Sequence, residues 1–256
     1  MSATSHALFG RIKALENRLD AFLDLLSDSN IQFRAGITYF LEAGGSHAAV
    51  FQQKLKEIGA IQTRAENLKR QIEAEFQEWV LIPELRADLV GLIHAQGNLI
   101  VQFGEHLQHF AIENPVFSLE LHKDIKLLGE QVALSVESCV MASRSLFHDP
   151  GSERDHIHMA KRHHEEAHTI AMRLKATIFT AERGLEQKIH QRTFIDRIWH
   201  LALMGEQVCE TLAMHASPSS PCFWSPMFST CASRFNPNFP SRPEGFRIAN
   251  RGPRPV

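Results

Sequence analysis

Apolar side chains recur at every third or fourth position along almost the whole chain up to Ala216, and this period limits what it can fold into. One stretch keeps a spacing close to 3.5 residues, through Leu121, Ile125, Leu128, Val132, Ser135, Cys139, Ala142 and Leu146. Such a repeat places apolar side chains on one stripe of an α-helix and favours packing of helix against helix. No segment before Ala216 alternates with the two-residue period of a strand. The sequence therefore predicts an all-α protein.

Turn-forming residues divide this pattern into separate helices. Glycine pairs, prolines and short polar runs break helices because they favour other backbone conformations or lack the amide hydrogen that a helix needs. Such signals stand at Ser27–Asn30, Gly44–Ser46, Pro83, Asn114–Pro115 and Asp149–Ser152, and a looser stretch covers Gly184–Gln191. The predicted helices are therefore Leu15–Leu26, Ile31–Leu41, Phe51–Trp79, Leu85–Phe110, Leu121–Leu146, Ile157–Ala181 and Phe194–Leu212.

The main helical units fall into two groups of three with related middle helices. When Ala65 is aligned with Ala167, Ile72 stands opposite Leu174. We therefore expect a helical domain over residues 8–215, made of half-repeats 8–113 and 117–215 that form two tandem antiparallel three-helix bundles. Residues 216–256 are rich in Pro and Ser and follow no period, so they are predicted to be a disordered tail.

Charge and cysteine content narrow the classes of function. The formal net charge of −2 at pH 7 leaves no basic footprint, so nucleic acid is not an expected partner. Four cysteines lie far apart without a C-x-x-C pair, which favours reduced thiols in a cytosol. The N-terminus has no signal-peptide pattern, and no window is apolar enough to span a bilayer. We expect a soluble, cytoplasmic protein.

The helix over Ile157–Ala181 carries the strongest candidate site. His164 and His168 stand one turn apart and project from the same side, so both imidazoles could bind one metal ion. Glu206 or His200 on the last helix would complete the ligand set. The expected metal is zinc or iron. The alternative interpretation is a partly exposed histidine cluster on an amphipathic helix, because a short HxxxH pattern without a placed third ligand is common.

No catalytic constellation is recognisable in the sequence. His164–His168 fits the zinc-protease pattern H-E-x-x-H literally, yet a protease would also need a third ligand and a substrate cleft. Glu105 and His109, also one turn apart, are weaker ligand candidates because such pairs routinely stabilise exposed helix faces. We therefore expect a protein that is not an enzyme.

Several short motifs, in order, resemble those of the PhoU-like family, in the branch of accessory regulators of Pit-type phosphate transporters. These motifs are Leu8-Phe9-Gly10, Gln62-Thr63-Arg64-Ala65-Glu66, Ile82-Pro83-Glu84-Leu85-Arg86-Ala87-Asp88-Leu89, Gln96-Gly97 and His164-Glu165-Glu166-Ala167-His168. The resemblance covers roughly residues 8 to 213. It implies a helical regulator of inorganic phosphate transport that contacts a phosphate permease or another transporter subunit at the inner face of the membrane. A second copy of the chain, in a homo-oligomer, is a further partner to be considered.

The chain departs from this family at the acidic positions that hold metal clusters in PhoU proteins. Gln62 and Glu66 replace the first Glu and Asp, and Gly97 replaces the acid of a Q-D step. Glu66 is therefore the acid that remains in the first half, while two histidines replace two acids in the second half. A nitrogen-rich site would favour zinc, iron or nickel. Two other interpretations stay open, a metal-binding bundle of the hemerythrin or di-iron kind and a helical adaptor without a ligand.

Overall fold

The structure is a computed structural model that describes residues 3–79, 83–148 and 152–215. These residues form six α-helices and contain no strand. The helices are α1 (Ala3–Glu42), α2 (Ala49–Trp79), α3 (Pro83–Glu113), α4 (Leu119–His148), α5 (Glu153–Thr180) and α6 (Leu185–His215). None of them is long and apolar enough to cross a membrane. The predicted tail, residues 216–256, lies outside the described residues.

The helices pack in two groups of three. Each of α1, α2 and α3 contacts the other two, and the same holds for α4, α5 and α6. Contacts of α1 with α4 and of α3 with α6 join the two groups. The prediction of an all-α protein built from two three-helix bundles is confirmed. The internal duplication remains a prediction.

A row of phenylalanines crosses the junction between the two bundles. Phe51 of α2 contacts Phe40 of α1 at 5.4 Å between ring centroids, and Phe40 contacts Phe110 of α3 at 5.1 Å. Phe110 in turn meets Phe194 of α6 edge-on at 4.6 Å. All four rings are buried. Edge-to-face pairs contribute about 0.5–1.5 kcal/mol beyond the burial of their area, so this row ties four helices together.

The first helix corrects one sequence-based prediction. We predicted a break at Ser27–Asn30, but α1 runs through these residues without interruption. The polar side chains find partners instead of making a turn. Ser29 donates to the carbonyl of Leu25 one turn back, Ser27 donates to Glu137 of α4, and Asn30 donates to the carbonyl of Ala133. The polar run therefore marks the side of α1 that packs on α4.

The last helix begins earlier than predicted. We described Gly184–Gln191 as a looser stretch, but α6 starts at Leu185. Most of its first turns are exposed and polar, so they show no apolar stripe. Their helical state is supported by the backbone bond from Lys188 to Gly184 and by Gln191, which is buried and donates to the carbonyl of Val116 at 2.6 Å.

Two connections between helices are tied to each other. Gly44 and Gly45 have φ values of +82° and +115°, which side chains rarely adopt, so the predicted break at Gly44–Ser46 is confirmed. The side-chain oxygen of Asn114, itself at φ +42°, accepts a hydrogen bond from the amide of Ser46 at 2.9 Å. The α1–α2 and α3–α4 connections therefore hold each other in place.

Candidate functional site

The contact between α5 and α6 brings together two of the predicted site residues. His164 Nδ1 lies 2.7 Å from Glu206 Oε2, and their side chains are only 13% and 17% exposed. Position 164 belongs to the α5 stripe of Ala160, Ala167 and Ala171, which is buried against the rest of the bundle. The pair can hold a proton between an imidazole and a carboxylate, and it becomes an ion pair when His164 is protonated.

Trp199 of α6 occupies the space beside both histidines of α5. Its ring stacks on that of His164 with centroids 6.2 Å apart, and it lies tilted against the ring of His168 at 5.1 Å. Lys175 lies on the same indole, with Nζ 5.4 Å from the ring centroid. His168 is exposed, so its main partner in this cluster is the aromatic ring. The predicted histidine pair is therefore arranged around an indole.

His200 was expected to join His164 and His168, but it lies beside His106 instead. Its ring faces His106 of α3, with centroids 6.4 Å apart. These two residues line a surface cavity of about 330 Å³, together with Arg192, Thr193, Asp196, Arg197 and Trp199. We call this cavity the α3–α6 groove.

His106 is the most unusual residue of the groove. Only 8% of it is exposed, and neither ring nitrogen has a hydrogen-bond partner among the described residues. Burial, together with the nearby charges of His200, Arg197 and His109, lowers the pKa of His106 from 6.5 to about 4. His106 is therefore a neutral imidazole at pH 7. Trp199 also lines the groove, and its Nε1 atom is buried without a hydrogen-bond partner among the described residues.

Glu66 stands apart from the histidines. It lies on α2, where it forms ion pairs with Lys69 at 2.7 Å and with Arg70 at 3.1 Å. The hydrogen bond from Lys69 holds the pKa of Glu66 below its ordinary value, even though burial acts in the opposite direction. Helix α2, which carries Glu66, packs on α1 and α3. Glu66 thus serves as a surface ion-pair partner.

The described residues contain no group of three His, Cys, Asp or Glu side chains placed to hold a metal ion. His164 and Glu206 supply two close ligand atoms, while His168 and His200 are engaged with Trp199 and His106. A zinc site needs at least three protein ligands. The residues as arranged do not fit a bound zinc or iron, and the metal stays a prediction.

Glu113, at the end of α3, gathers three basic side chains. Arg197 and His109 lie 2.8 and 3.0 Å from its Oε1 atom, and His190 lies 3.1 Å from Oε2. Burial raises the pKa of Glu113, but the hydrogen bonds and the charge of Arg197 outweigh it, so the pKa is lowered. His109 is therefore engaged by Glu113, whereas Glu105 accepts a hydrogen bond from Gln102.

A second cavity lies next to Glu113, between the α3–α4 connection and the first turns of α6. Its volume is about 650 Å³, and its lining includes Val116, Ile189 and His190. Exposed apolar side chains surround this end of the molecule. They are Ile112, Val116, Leu119, Leu185 and Ile189, and we call them the apolar end. Isolated exposed apolar residues are ordinary, but a cluster of them marks an interaction surface.

Sequence reasoning missed His106 and Trp199. His106 was visible only as the residue between Glu105 and His109, and its burial depends on how α3 meets α6. A single signal pointed to Trp199, an aromatic residue directly before His200 on a helix already suspected of holding ligands. Neither residue could be paired with its neighbours before the packing of α3, α5 and α6 was known.

Comparison with known proteins gives a match in structure alone. No known family and no curated protein matches the sequence. Two solved structures from Shewanella oneidensis MR-1 do match the fold. A PhoU-like phosphate regulatory protein shares 15% identity over 78% of this chain and 97% of its own, with a TM-score of 0.66. A PhoU-like protein gives the same identity and coverage with a TM-score of 0.68. The chain therefore has the PhoU-like fold that its motifs predict.

Proposed function

We propose that this protein regulates inorganic phosphate transport by binding a Pit-type phosphate permease at the cytoplasmic face of the membrane. The observation that supports the proposal is the likeness of 78% of the chain to a PhoU-like phosphate regulatory protein. The motifs quoted from the sequence suggest the Pit-type branch. The protein would act as a peripheral partner, since none of its described helices could cross a membrane itself.

The apolar end is a suitable part of the contact surface. Leu119 is 84% exposed and Ile112 is 78% exposed, so the burial of either side chain in an interface would favour binding. The long helices would supply the remaining area, and a stable complex should bury about 1,200–2,000 Å² in total. Large exposed side chains at the centre of an interface often contribute most of the binding free energy.

We further propose that the protein has no enzymatic turnover. His164 and Glu206 supply two close ligand atoms, and the described residues bring no third His, Cys, Asp or Glu side chain to them. Regulation through contact needs only the fold and its surface. A helical adaptor without any ligand is the interpretation that remains if no permease is found.

Crosslinking in cells tests the proposal directly. Membranes from cells that express the tagged full chain should yield a crosslink to a Pit-type permease. Deletion of the gene should change phosphate uptake or its response to phosphate supply. Recovery of no permease, together with unchanged uptake in the deletion strain, would reject the proposal. A second copy of the chain as partner would appear as a dimer in light scattering.

A pair of variants locates the contact. The change Ile112→Ser with Leu119→Ser should weaken the crosslink without lowering the melting temperature, because both side chains are largely exposed. A matched control is Met172→Ser with Met141→Ser, which removes two exposed apolar side chains elsewhere. If the control weakens the crosslink equally, the apolar end is not the contact surface.

A further inference from the structure

We infer that the α3–α6 groove binds a small oxyanion through His106, Trp199 and the arginines at its rim. The groove has about 330 Å³ of space, which is ample for a tetrahedral anion such as phosphate. This inference is independent of the permease contact, because none of the residues that line the groove belongs to the apolar end.

The first argument is the unmet hydrogen bonding inside the groove. His106 is more than nine-tenths buried, and both of its ring nitrogens lack a hydrogen-bond partner among the described residues. Trp199 Nε1, a donor only, is buried and unpartnered in the same way. Buried polar groups are almost always paired in folded proteins, so two such residues lining one cavity indicate a missing partner that accepts hydrogen bonds.

The second argument is charge. Arg192 and Arg197 line the groove, and Lys175 lies over the Trp199 ring. Two carboxylates face these three cations. Asp196 lies 2.5 Å from Lys175 and 3.7 Å from Arg192, and Glu113 lies 2.8 Å from Arg197. Together these five groups carry one net positive charge.

This surplus selects an anion over a cation. The positive surroundings of His106 also help to keep its imidazole neutral, and a metal cation would meet the same repulsion. An oxyanion would accept hydrogen bonds from one ring nitrogen of His106 and from the indole, and its charge would be balanced by the arginines. Bonds from charged donors to phosphate oxygens are short and strong.

Access to these donors requires a side chain at the rim to move. The nitrogens of His106 and Trp199 are covered in the observed rotamers. His200 is exposed and its ring lies 6.4 Å from that of His106, so a change of its rotamer would open the groove towards His106. An exposed side chain changes rotamer in picoseconds to nanoseconds, so this step does not limit binding.

Two phosphate sources share this chemistry, free inorganic phosphate and the phosphate of a lipid headgroup. Isothermal titration of the full chain with inorganic phosphate tests the first source. Flotation with phosphatidic acid vesicles, against phosphatidylcholine vesicles as reference, tests the second. Saturable phosphate binding assigns the free anion, and binding that is confined to the acidic vesicles assigns the headgroup. Binding to neither probe overturns the inference.

Variants link the binding to the groove. His106→Leu should weaken phosphate binding about tenfold or more, the loss expected for one hydrogen bond to a charged group. It should melt no lower than the natural protein, because it removes an unpartnered buried polar group. Unchanged affinity in His106→Leu overturns the inference.

A second variant does not touch the buried wall. Arg192→Gln removes an exposed charge of the groove and should weaken binding severalfold, more strongly at low salt. Arg70→Gln is the matched control, because Arg70 also pairs with a carboxylate one turn away but lies on α2. Equal losses in the two variants would point to general surface charge and overturn the inference.

Discussion

At the scale of single residues, His106 has the largest consequence because it is buried and neutral and has no hydrogen-bond partner in the described part of the chain. An unsatisfied buried polar group costs about 1–3 kcal/mol of stability. His164, by contrast, has a carboxylate oxygen of Glu206 2.7 Å from its Nδ1 atom.

Mild acid should destabilise the protein through His106. Its pKa is 6.5 when exposed and about 4 in the fold, so the unfolded chain takes up the proton first as pH falls. Stability from this residue is complete above pH 6.5 and is lost progressively down to pH 4, by roughly 3 kcal/mol in total. His106→Leu should therefore show a smaller fall in melting temperature between pH 7 and pH 5, measured by circular dichroism. An equal fall in both proteins would contradict the lowered pKa.

Metal content tests the other histidines. If His164 and His168 bind zinc or iron, the purified protein should carry the metal at up to one ion per chain. The double variant His164→Ala/His168→Ala should then lose it, whereas His156→Ala/His158→Ala, from the preceding turns of α5, should not. Binding should also weaken as pH falls through about 6.5, where imidazole is protonated. Elemental analysis with unchanged metal in the first variant would end this prediction.

The sequence was enough to place His164 and Glu206 on facing helices. It was not enough to identify the residues that His168 and His200 contact. The spacing of α5 identifies its inward stripe, and His164 lies on it. The positions of His168 and His200 depend on the rotation of α6, which sets Trp199 against α5 and His200 against α3. Rotation about a helix axis is decided by packing and cannot be read from a period of 3.6 alone.

At the scale of helices, close approach is set by small residues. A Cβ atom added to Gly36 of α1 would lie 2.7 Å from the side chain of Leu107 on α3, which is fully buried. A Cβ atom added to Gly91 of α3 would meet nothing within 4 Å. Both glycines lie inside helices, where alanine is intrinsically better by about 0.5–1 kcal/mol.

These two glycines should give opposite results. Gly91→Ala should raise the free energy of unfolding by about 0.5–1 kcal/mol, because it gains helix propensity without a clash. Gly36→Ala should lower it, because overpacking a filled core costs about 1–3 kcal/mol and outweighs that gain. Urea denaturation measures both. A Gly36→Ala protein that is as stable as Gly91→Ala would show that Leu107 has room to move.

Helix boundaries were predictable where the backbone itself must change. Positive φ at Gly44 and Gly45 ends α1, and that signal is local. The wrong break at Ser27–Asn30 has a different cause. Polar residues end a helix only when they bind their own backbone in a turn, and here Ser27 and Asn30 reach across to α4. The partner that decides the outcome is more than a hundred residues away in sequence.

At the scale of the whole molecule, the phenylalanine row makes the two bundles dependent on each other. Phe110 contacts Phe40 in its own bundle and Phe194 in the other. Phe110→Ala should lower the free energy of unfolding by about 3–5 kcal/mol, the usual cost of removing a buried aromatic ring. Calorimetry should show one transition, shifted as a unit. Two separate transitions would mean that the bundles unfold independently.

The architecture was predictable because helical period and turn signals are dense in this sequence. Five of the six helices follow from the punctuation, once Pro83 and Asn114–Pro115 are recognised as boundaries, whereas α1 was predicted as two helices. The way in which the bundles meet was not predictable. Contacts of α1 with α4 and of α3 with α6 join residues far apart in sequence, and no local pattern encodes them.

The link between the two connections restricts how this sequence can diverge. A side chain at position 45 would place its Cβ atom 2.8 Å from Oδ1 of Asn114, the atom that also holds the Ser46 amide. A side chain at position 45 therefore displaces the acceptor that holds Ser46 and removes the reason for asparagine at position 114. Among distant relatives of the same fold, asparagine at position 114 should be lost wherever glycine at position 45 is lost. Such paired variation would mark common descent where overall identity has faded to the level of chance.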